Sequence, residues 1–425
     1  MAATKYKDSG IPWIGMIPSD WCLLHFKYSG SFKKGKLPNS TNVDGKGFPI
    51  IGASEMNGKP PTLFTEQQDI PMCGNEDVLI LWDGANAGLV ANNLQGIVSS
   101  TVVKYSCNDN RCNVQYVYYQ YKTLERYFKS KVSGTTIPHM NMKFINGSPM
   151  LLPPLPTQQR IADYLDRKCA EIDELAALQE TMIAELKRYK QSVITEAVTK
   201  GLDPDVPMKD SGVEWIGEIP EGWSVGRIKN VASLFGRIGF RGYTSDDLNK
   251  DGIGAITLSP SNMLPMSMDY TNVTYLSWKK YEESPEIKIQ NGDLLMVKTG
   301  SSYGKVSFVD NLPREATINP QILRIVPNIH SKYLGYFLQT TYFSFQVEGG
   351  VVGGTIPTIS QEKINNFRVI LPPLTEQRAI ADYLDQKCAE IDELIAIKQQ
   401  KIEALKEYKK SVIFEYVTGK KEVEE

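Results

Sequence analysis

Two long stretches of the chain carry apolar side chains at sevenfold spacing and are free of Gly and Pro for about forty residues. The first series is Leu165, Ile172, Leu186 and Val193, with Leu175, Met182 and Tyr189 on interleaved positions; the second is Leu384, Ile391, Leu405 and Val412, with Leu394 and Tyr408 between them. This spacing is typical of a coiled-coil seam. It predicts one long helix over 156–200 and another over 375–420, each roughly 60 Å long at 1.5 Å per residue.

Each predicted helix needs a partner along its whole apolar stripe. That partner is either the other long helix or the globular part of the chain next to it in sequence, and the pattern leaves both open. Gln179 and Lys398 lie on the two seams at equivalent positions. If the helices are antiparallel and overlap fully, we expect these polar residues to meet and to penalise slipped registers.

Elsewhere the pattern changes to short apolar runs separated by Gly, Asn and Pro. The runs are "FPIIGAS", "EDVLILWDG" and "GIVSSTVVKYS" within 22–151, and "GIGAITLS", "NGDLLMVKTG", "GKVSFVD" and "QILRIVP" within 224–370. They predict strands joined by turns. Because a helical pattern follows in each region, "VQYVYYQYKTLERYFKS" and "SKYLGYFLQTTYFSFQ", each region is predicted to be a mixed α/β domain with a mostly antiparallel sheet.

The chain also repeats itself. "KDSGIPWIGMIPSDW" at 7–21 returns as "KDSGVEWIGEIPEGW" at 209–223, and residues 152–201 align without a gap to 371–420 with 31 of 50 positions identical. The regions between these repeats are barely alike, and the second is 17 residues longer. The pattern indicates a tandem duplication whose frame was kept while its inserts diverged, so one scaffold is expected to present two different surfaces.

The net charge of −2 would by itself argue against a nucleic-acid binder. The acidity, however, is confined to the predicted helices: residues 157–206 hold 7 Lys+Arg against 10 Asp+Glu, and 375–425 hold 9 against 12. Residues 1–156 hold 15 against 11, and 207–374 hold 16 of each. The two longer regions therefore remain compatible with binding to phosphates.

The remaining composition predicts a reduced, cytoplasmic, soluble protein. Its six cysteines form no C-x-x-C pair, and with three histidines a zinc cluster is not expected. No apolar run approaches the length of a membrane span, and the first residues lack a signal-peptide pattern.

No catalytic constellation is predicted. "KTGSSYGKV" at 298–306 has three residues between its glycines where a phosphate-binding P-loop needs four, so a hairpin turn is the better interpretation. "EIK" at 286–288 lies in an alternating apolar pattern that favours a strand, and no acidic partner for a nuclease site is evident. His25, His139 and His330 stand without a paired Ser or Cys.

The diverged regions do supply turn residues suited to DNA. Arg and Lys can address guanine, Asn adenine, Asp the amino group of cytosine, and Ser several base edges. The candidate DNA-binding residues are Lys33, Lys34, Lys36, Asn39, Asn57, Lys59, Asp83 and Asn86 in the first region, and Arg237, Arg241, Tyr243, Asn262, Lys298, Ser301, Ser302, Tyr303 and Lys305 in the second. For any single one of them the sequence favours a solvated surface role, and only their concentration in the turns of a duplicated domain favours contact with DNA.

The repeated phrases resemble those of a known family. "PWIGMIPSDW" and "EWIGEIPEGW" open the variable regions, and "TTIPHMN...LPPLPTQQRIADYLD" and "GTIPTIS...LPPLTEQRAIADYLD" close them, as in the DNA specificity subunits of type I restriction-modification systems. The resemblance covers essentially the whole chain. It implies an α+β fold in which two target recognition domains are separated by an antiparallel coiled coil of two long helices, with pseudo-twofold symmetry from the duplication.

On this basis the predicted segments are a first target recognition domain at 1–155, a first helix at 156–200, a linker and second domain at 201–374, a second helix at 375–420 and a tail at 421–425. The coiled-coil seam would comprise Leu165, Ile172, Gln179, Leu186 and Val193 with Leu384, Ile391, Lys398, Leu405 and Val412. Each domain would read half of a bipartite DNA target, and the helix pair would set the unread spacer.

The resemblance also implies partners and their cofactors. They are double-stranded DNA, two methyltransferase subunits that bring S-adenosylmethionine, and motor-nuclease subunits that bring ATP and magnesium. None of these chemistries is predicted in this chain: "INPQ" at 318–321 is not an amino-methylation motif, and no P-loop or metal site is evident. The alternatives are a self-contained DNA methyltransferase or nuclease, and a coiled-coil adaptor without DNA binding.

Overall fold

A computed structural model describes residues 5–130, 140–239, 242–249, 251–351 and 357–423. The chain divides into two compact units that are discontinuous in sequence. The first unit comprises Met1–Glu180 and Gln399–Glu425, and the second comprises Thr181–Lys398. The predicted division into five consecutive segments is a different partition of the chain and stays a prediction.

In its described residues the first unit contains twelve strands and three helices of its own. The strands are β1 Tyr6–Asp8, β2 Met16–Pro18, β3 Cys22–His25, β4 Gly30–Lys34, β5 Phe48–Ile51, β6 Phe64–Thr65, β7 Met72–Cys73, β8 Asp77–Leu81, β9 Val90–Ala91, β10 Gly96–Val98, β11 Val102–Cys107 and β12 Pro149–Leu152. The helices are α1 Ala53–Met56, α2 Val114–Ser130 and α3 Met142–Gly147, and the long helix α4, Leu155–Lys200, belongs to both units. Helix α2 has the predicted bounds.

The described part of the second unit repeats this order with additions. Its strands are β13 Met208–Asp210, β14 Glu218–Pro220, β15 Ser224–Arg227, β16 Ala232–Gly236, β17 Leu248–Asn249, β18 Ala255–Leu258, β19 Met263–Leu264, β20 Ser267–Met268, β21 Thr274–Leu276, β22 Leu294–Val297, β23 Val306–Phe308, β24 Ala316–Ile318, β25 Ile322–Pro327 and β26 Arg368–Leu371. Its helices are α5 Ile228–Val231, α6 Trp278–Glu282, α7 Ser331–Phe337, α8 Thr341–Gly350 and α9 Gln361–Asn366, and the long helix α10, Leu374–Val417, is again shared. The strand predicted at 286–288 is wrong, because Pro285–Ile287 forms a 3-10 turn.

The two diverged regions share most of their sheet topology although their sequences are barely alike: one sheet matches strand for strand, and the other matches in three strands but has its fourth strand at the opposite edge. In the first unit the four-stranded sheets have the orders β4-β11-β8-β9 and β6-β5-β10-β7, and in the second they have the orders β16-β25-β22-β23 and β17-β21-β18-β24. The pairing is mostly antiparallel, as predicted, but each unit also has a parallel pair, β5 with β10 and β18 with β24. The pairs β3–β12 and β15–β26 bring the two ends of each diverged region together.

In each unit α4 and α10 pack against each other in opposite directions. In the first unit Tyr164 packs against Tyr416 with ring centroids 4.4 Å apart, and the Lys409 ammonium lies 2.6 Å from the Asp173 carboxylate. Higher numbers on α4 thus meet lower numbers on α10, which is an antiparallel pair. In the second unit Lys190 lies 2.6 Å from Asp392, the pair that the duplication relates to Lys409 and Asp173.

The helix faces differ in part from the predicted seam. Leu165, Ile172, Val193, Leu384, Ile391 and Val412 are buried, and Gln179, Leu186, Lys398 and Leu405 are half-buried. The interleaved positions were predicted wrongly: Leu175, Tyr189, Leu394 and Tyr408 are exposed, and the buried ones come one residue later, at Cys169, Ile183, Cys388, Ile395 and Ile402. The predicted meeting of Gln179 with Lys398 stays a prediction.

The repeated opening phrase packs on the ends of the long helices. Within the first unit Ile14, Ile17 and Trp21 share a hydrophobic cluster with Val412 and Val417 at the end of α10. Within the second, Ile216, Ile219 and Trp223 join a cluster with Val193 and Val198 at the end of α4. The phrase therefore closes each unit onto a helix end, and this is the part of the frame that both copies keep.

Tyrosines on the domain helices fix each diverged region to the long helices. Tyr119 of α2 donates to the Asp166 carboxylate on α4 at 2.7 Å, and Tyr336 of α7 donates to Asp385 on α10 at 2.8 Å. Burial is the largest cause that raises the pKa of both phenols above the usual value.

In the described part of the chain no helix is long and apolar enough to cross a membrane.

Candidate nucleic-acid interface

Two loops in corresponding places of the two units have the same internal hydrogen bonds. We call residues 82–89, between β8 and β9, the first tip loop, and residues 298–305, between β22 and β23, the second tip loop. In the first, Ala87 N–H donates to the Gly84 carbonyl and Gly88 N–H to the Leu81 carbonyl, at 3.0 and 2.8 Å. In the second, Tyr303 and Gly304 donate to Gly300 and Val297 at 3.1 and 2.8 Å. The predicted hairpin at 298–306 is thus confirmed.

Glycines at matched places allow this loop conformation. Gly84 and Gly88 have φ of +101° and +92°, and Gly300 and Gly304 have +105° and +82°. These values lie in the region that side chains with a Cβ avoid. A Cβ at Gly88 would also lie 3.0 Å from the Phe128 Cβ on α2, and one at Gly304 would lie 2.9 Å from Val347 on α8. Each tip loop therefore lies against the last turns of a helix, α2 in the first unit and α8 in the second.

Each tip loop is also attached to a short turn between two strands. We call residues 99–101, between β10 and β11, the first adjoining turn, and residues 319–321, between β24 and β25, the second adjoining turn. Trp82 N–H donates to the Thr101 carbonyl at 2.7 Å, and Lys298 N–H donates to the Gln321 carbonyl at 2.8 Å. The turns themselves match, because Thr101 N–H donates to Ser99 Oγ and Gln321 N–H to Asn319 Oδ1.

A third support comes from the segment before α3 or α9. Met140 N–H donates to the Trp82 carbonyl at 3.0 Å, and Ile359 N–H donates to the Lys298 carbonyl at 2.9 Å. The tip loops are thus tied on three sides by bonds to the backbone. Their frame does not depend on the side chains at the tips, so those side chains are free to differ.

The outward side chains of the tip loops differ in chemistry. In the first, Ala85 and Asn86 are exposed; in the second, Ser301 is exposed and Ser302 is half-buried. Tyr303 turns inward and packs against the core of the second unit. Lys305 is half-buried, and its ammonium lies 3.5 Å from the Pro260 carbonyl.

Each unit places one lysine ammonium at the base of its tip loop, but from different elements. In the first unit Lys34 of β4 lies 3.5 Å from the Asp83 carboxylate and 5.3 Å from the Trp82 ring centre. In the second unit the strand residue at this level is Gly236, and Lys298 of the loop supplies the ammonium, 3.3 Å from where a Gly236 Cβ would lie. Burial lowers the pKa of Lys298.

The other candidates of the first unit are exposed but only some lie beside this site. Lys33 and Lys36 flank Lys34 along one stretch, and Lys36 N–H donates to the Val98 carbonyl next to the first adjoining turn. Asn57 caps the end of α1 through a 2.6 Å bond to Ala53, and Asn39 N–H donates to Gln67 at 2.8 Å. Lys59 is exposed two residues after Asn57.

Two candidates of the second unit are structural rather than outward-facing. Arg237 is 7% exposed, and its guanidinium donates to the Ile318 carbonyl and the Thr317 hydroxyl, with Tyr243 stacked 5.1 Å away. Burial lowers the pKa of Arg237. Asn262 is 4% exposed and donates to the Asp269 and Asn272 carbonyls. Arg241 lies outside the described residues, as does His139.

Sequence reasoning missed both adjoining turns. Ser99, Thr101, Asn319 and Gln321 were not among the candidates, and "INPQ" was considered only as a methylation motif. The sequence did contain a signal: in both regions two glycines four residues apart follow an apolar strand pattern, and further strand patterns come after the glycines.

Among the described residues, no group of three or more His, Cys, Asp or Glu is placed to hold a metal ion.

Comparison with known proteins identifies the frame. The family model described as the type I restriction modification DNA specificity domain matches residues 26–188 and 220–407. The type I restriction enzyme MjaVIII specificity subunit of Methanocaldococcus jannaschii is 28% identical over 421 residues, covering 95% of this chain and 93% of that protein. The EcoBI specificity subunit of Escherichia coli is 24% identical over 330 residues, covering 75% and 68%.

A solved structure has the same fold. A chain from work on complex assembly and conformational transition of the type I R-M system superposes with a TM-score of 0.68 at 18% identity, covering 94% of this chain and 98% of that one. The family model matches well over half of the chain, once in each copy of the duplicated frame. This protein therefore belongs to the type I restriction-modification DNA specificity family.

Proposed function

We propose that this chain is the DNA-recognition subunit of a type I restriction-modification complex, and that each unit reads one half of an asymmetric bipartite target. The observation that carries the proposal is the pair of tip loops. Their backbones are hydrogen-bonded alike, whereas the exposed residues are Ala85 and Asn86 in one and Ser301 in the other. A shared frame with different outward side chains is the arrangement expected of two readers with different half-sites.

The chemistry of these side chains suits base edges. An Asn amide pairs with the N6 and N7 atoms of adenine, and Ser and Thr hydroxyls can pair with several bases. Lys33 and Lys36 are exposed on the stretch that borders the first adjoining turn, where ammonium groups can contact phosphates. Phosphate contacts orient a protein on the duplex, and base contacts select the sequence.

We further propose that the chain itself is non-catalytic and holds no cofactor. S-adenosylmethionine would be bound by methyltransferase subunits, and ATP and magnesium by motor-nuclease subunits. The support is the family membership: the relatives above are named specificity subunits of restriction enzymes. Purified chain incubated with DNA and a labelled methyl donor is expected to transfer no methyl group; transfer without a partner would contradict this part of the proposal.

Two methyltransferase subunits are proposed to dock on the outer faces of the long helices. Leu175 and Leu178 of α4 are 48% and 52% exposed, and Leu394 and Ile397, their counterparts on α10, are 47% and 41% exposed. Apolar side chains at matched helical positions suit a partner that binds twice. Leu178→Asp or Ile397→Asp is expected to reduce the methyltransferase recovered with the chain by about half, whereas the solvent-facing Glu180→Gln should leave it unchanged.

The spacer between half-sites is proposed to depend on the lengths of α4 and α10. The support is that α4 is helical without a break from Leu155 to Lys200, and α10 from Leu374 to Val417. Deleting one heptad from both helices should shorten the preferred spacer while both half-sites stay the same. A changed half-site in that variant would count against this proposal.

Genomic methylation mapping tests the main proposal. Cells that carry this chain with its methyltransferase partner should show one methylated motif made of two unlike half-sites around an unread spacer. Cells that lack only this chain should lose that motif. A continuous motif, or one that persists without the chain, would contradict the proposed function.

A further inference from the structure

We propose that each unit reads its half-site through a module of two segments, the tip loop and its adjoining turn, and that the module can be exchanged between the two units of this chain. The inference rests on the proposed DNA-reading function. The inference extends the proposed function in two ways: it assigns the positions that discriminate between bases, and it states that both half-sites are read with one geometry.

The tip loop and its adjoining turn form one body in each unit. Trp82 and Asp83 both donate their N–H groups to the Thr101 carbonyl, at 2.7 and 3.4 Å, and Lys298 donates to the Gln321 carbonyl at 2.8 Å. The adjoining turns then close on themselves by the same bond, from the third residue's N–H to the first residue's side-chain oxygen. A tip loop and its turn are therefore presented together.

In the second tip loop four backbone N–H groups are engaged inside the protein and are therefore not available to a phosphate. In the second tip loop the N–H groups of Gly300, Tyr303, Gly304 and Lys305 donate to the carbonyls of Pro357, Gly300, Val297 and Ser302. A phosphate-binding loop needs such groups pointing outward. The groups that differ between the two tip loops are side chains, so discrimination between half-sites is assigned to the side chains.

The outward positions of the two modules match one to one, whereas their chemistry differs. Counting from the shared glycines and from the shared turn bond, the pairs are Ala85 with Ser301, Asn86 with Ser302, Ser99 with Asn319, and Thr101 with Gln321. All eight are exposed or half-buried. The first module thus offers one amide and two hydroxyls, and the second offers two amides and two hydroxyls. These sets differ in the base edges they can pair with.

The inward positions, in contrast, serve each unit's own frame. Ala87 is 3% exposed and belongs to the hydrophobic cluster of the first unit, while Tyr303 packs against the core of the second. An exchange must therefore leave Ala87 and Tyr303, and the glycines, in place. This restriction defines a graft of four side chains, in which the residue at position 99 keeps a side-chain oxygen that accepts the N–H closing the turn, as both Ser99 and Asn319 do.

The test is a graft of the second module onto the first unit, with the substitutions A85S, N86S, S99N and T101Q. The chain is expressed with its methyltransferase partner, and the complex selects from a duplex library with both half-sites randomised. We expect the first half-site to take bases of the second, with a discrimination of about 10-fold at each changed base pair. The second half-site and the spacer should stay as in the unchanged chain.

A matched control replaces two exposed residues outside the module, Gln68→Ser and Asp69→Asn in the loop between β6 and β7. It should leave the selected motif unchanged. The reverse graft, S301A, S302N, N319S and Q321T, should alter the second half-site alone. An unchanged first half-site in a folded, binding graft overturns the proposal, as does a folded graft that selects no sequence.

Two further outcomes are distinguishable. If the unchanged complex selects no bipartite motif, the proposed function itself fails; if it does and the graft has no effect, the module assignment fails. If thermal unfolding shows that the full graft is not folded, the exposed pair A85S and N86S decides. That pair must change at least one base of the first half-site, and a motif identical to the wild type would overturn the assignment.

Discussion

The two units share a frame but distribute their positive charge differently. In the first unit Lys33, Lys34 and Lys36 are all exposed on the stretch beside the first adjoining turn. In the second unit the corresponding stretch holds Gly236 and Arg237, and the Arg237 guanidinium is turned inward onto Ile318. The duplicated frame thus constrains the groups that close it, whereas groups that face outward change freely, including those expected to contact phosphates.

Each unit also has an ion pair at the corresponding place in its sheet, and the two pairs differ in burial. Lys104 of β11 lies 3.1 Å from Asp77 of β8, and Arg324 of β25 lies 2.7 Å from Asp293 of β22. The side chains of the first pair are 20% and 9% exposed, and those of the second are 10% and 6% exposed. The position of the pair is kept, but the second pair is drier and uses the guanidinium that suits burial better.

The largest expected effect comes from removing the carboxylate of these pairs. Asp293→Ala would leave the Arg324 charge buried, so the second unit should lose about 3–5 kcal/mol of unfolding free energy. Asp77→Ala should cost less, about 2–3 kcal/mol, because Lys104 is more exposed and can regain water. Hydrogen exchange of β22 and β25 against β8 and β11 during denaturant unfolding measures each unit separately.

A control for this comparison is Glu283→Ala, which breaks the more exposed pair of Glu283 with Lys280. It should cost less than about 1 kcal/mol. If Asp293→Ala costs no more than this control, the account of a dry pair in the second unit is wrong.

The glycines of the tip loops come next in size. Gly88→Ala should destabilise the first unit by about 2 kcal/mol from backbone strain alone, with a further loss because the new Cβ would lie 3.3 Å from the Lys129 backbone nitrogen. Gly304→Ala should cost less, since its new Cβ meets only the Val347 side chain. Denaturant unfolding measures both.

Gly84→Ala separates the two contributions. Its φ is +101° and no atom lies within 4 Å of its Cβ position, so only backbone strain remains. Gly222→Ala, which has neither a positive φ nor a close neighbour, serves as the control and should be nearly neutral. Equal losses at Gly84 and Gly88 would show that the contact with α2 contributes nothing.

Buried tyrosine hydroxyl groups that donate to backbone carbonyls of β26 in the second unit and of α10 in the first give a smaller effect. Tyr333 donates to the Ile370 carbonyl at 2.8 Å, and Tyr116 donates to the Val417 carbonyl at 3.2 Å. Tyr333→Phe and Tyr116→Phe should each cost about 1 kcal/mol, with the larger loss at Tyr333 because its bond is shorter. The midpoint of denaturant unfolding is the measurement.

Tyr121 offers the matched control. Its hydroxyl is buried and, among the described residues, has no hydrogen-bond partner. Tyr121→Phe should therefore leave the stability unchanged or raise it slightly. A loss at Tyr121 as large as that at Tyr333 would contradict the role given to these bonds.

The smallest expected effect concerns DNA affinity and sharpens the comparison of charge. Lys33→Ala and Lys36→Ala should each reduce the slope of log affinity against log salt by about 0.9, with little change in sequence preference. Arg237→Ala should lower the thermal stability but leave the slope unchanged, because the guanidinium is engaged inside the protein. A fall in slope for Arg237→Ala would mean that this residue reaches a phosphate.

How far the sequence predicts the structure depends on the length of the pattern. The helices α4 and α10 and the helix α2 follow from long periodic patterns, and their bounds agree with the structure within a few residues. The interleaved seam positions could not be derived from the sequence. Leu175 and Tyr189 fit the sevenfold spacing as well as Cys169 and Ile183 do, although only the latter two are buried. Leu175 lies on a second apolar face, which a single chain gives no reason to separate from the first.

The candidate site was harder to predict because its frame is made of backbone bonds. Only the spaced glycines mark the shared tip loops in sequence, and nothing local joins residue 82 to 101 or 298 to 321. Arg237 and Asn262 have the composition of DNA-contacting turns, yet both complete their hydrogen bonds within the protein. Whether a polar turn residue faces inward is decided by its tertiary neighbours.

The central claim is that each unit reads one half of the target. It is tested most directly by a chain whose residues 22–152 are replaced by a copy of 224–371, since the pairs β3–β12 and β15–β26 provide matching borders. The motif selected by the complex of this chain with its methyltransferase partner is the measurement. The account predicts that the second half-site appears twice around the original spacer. A motif that keeps the original first half-site would contradict it.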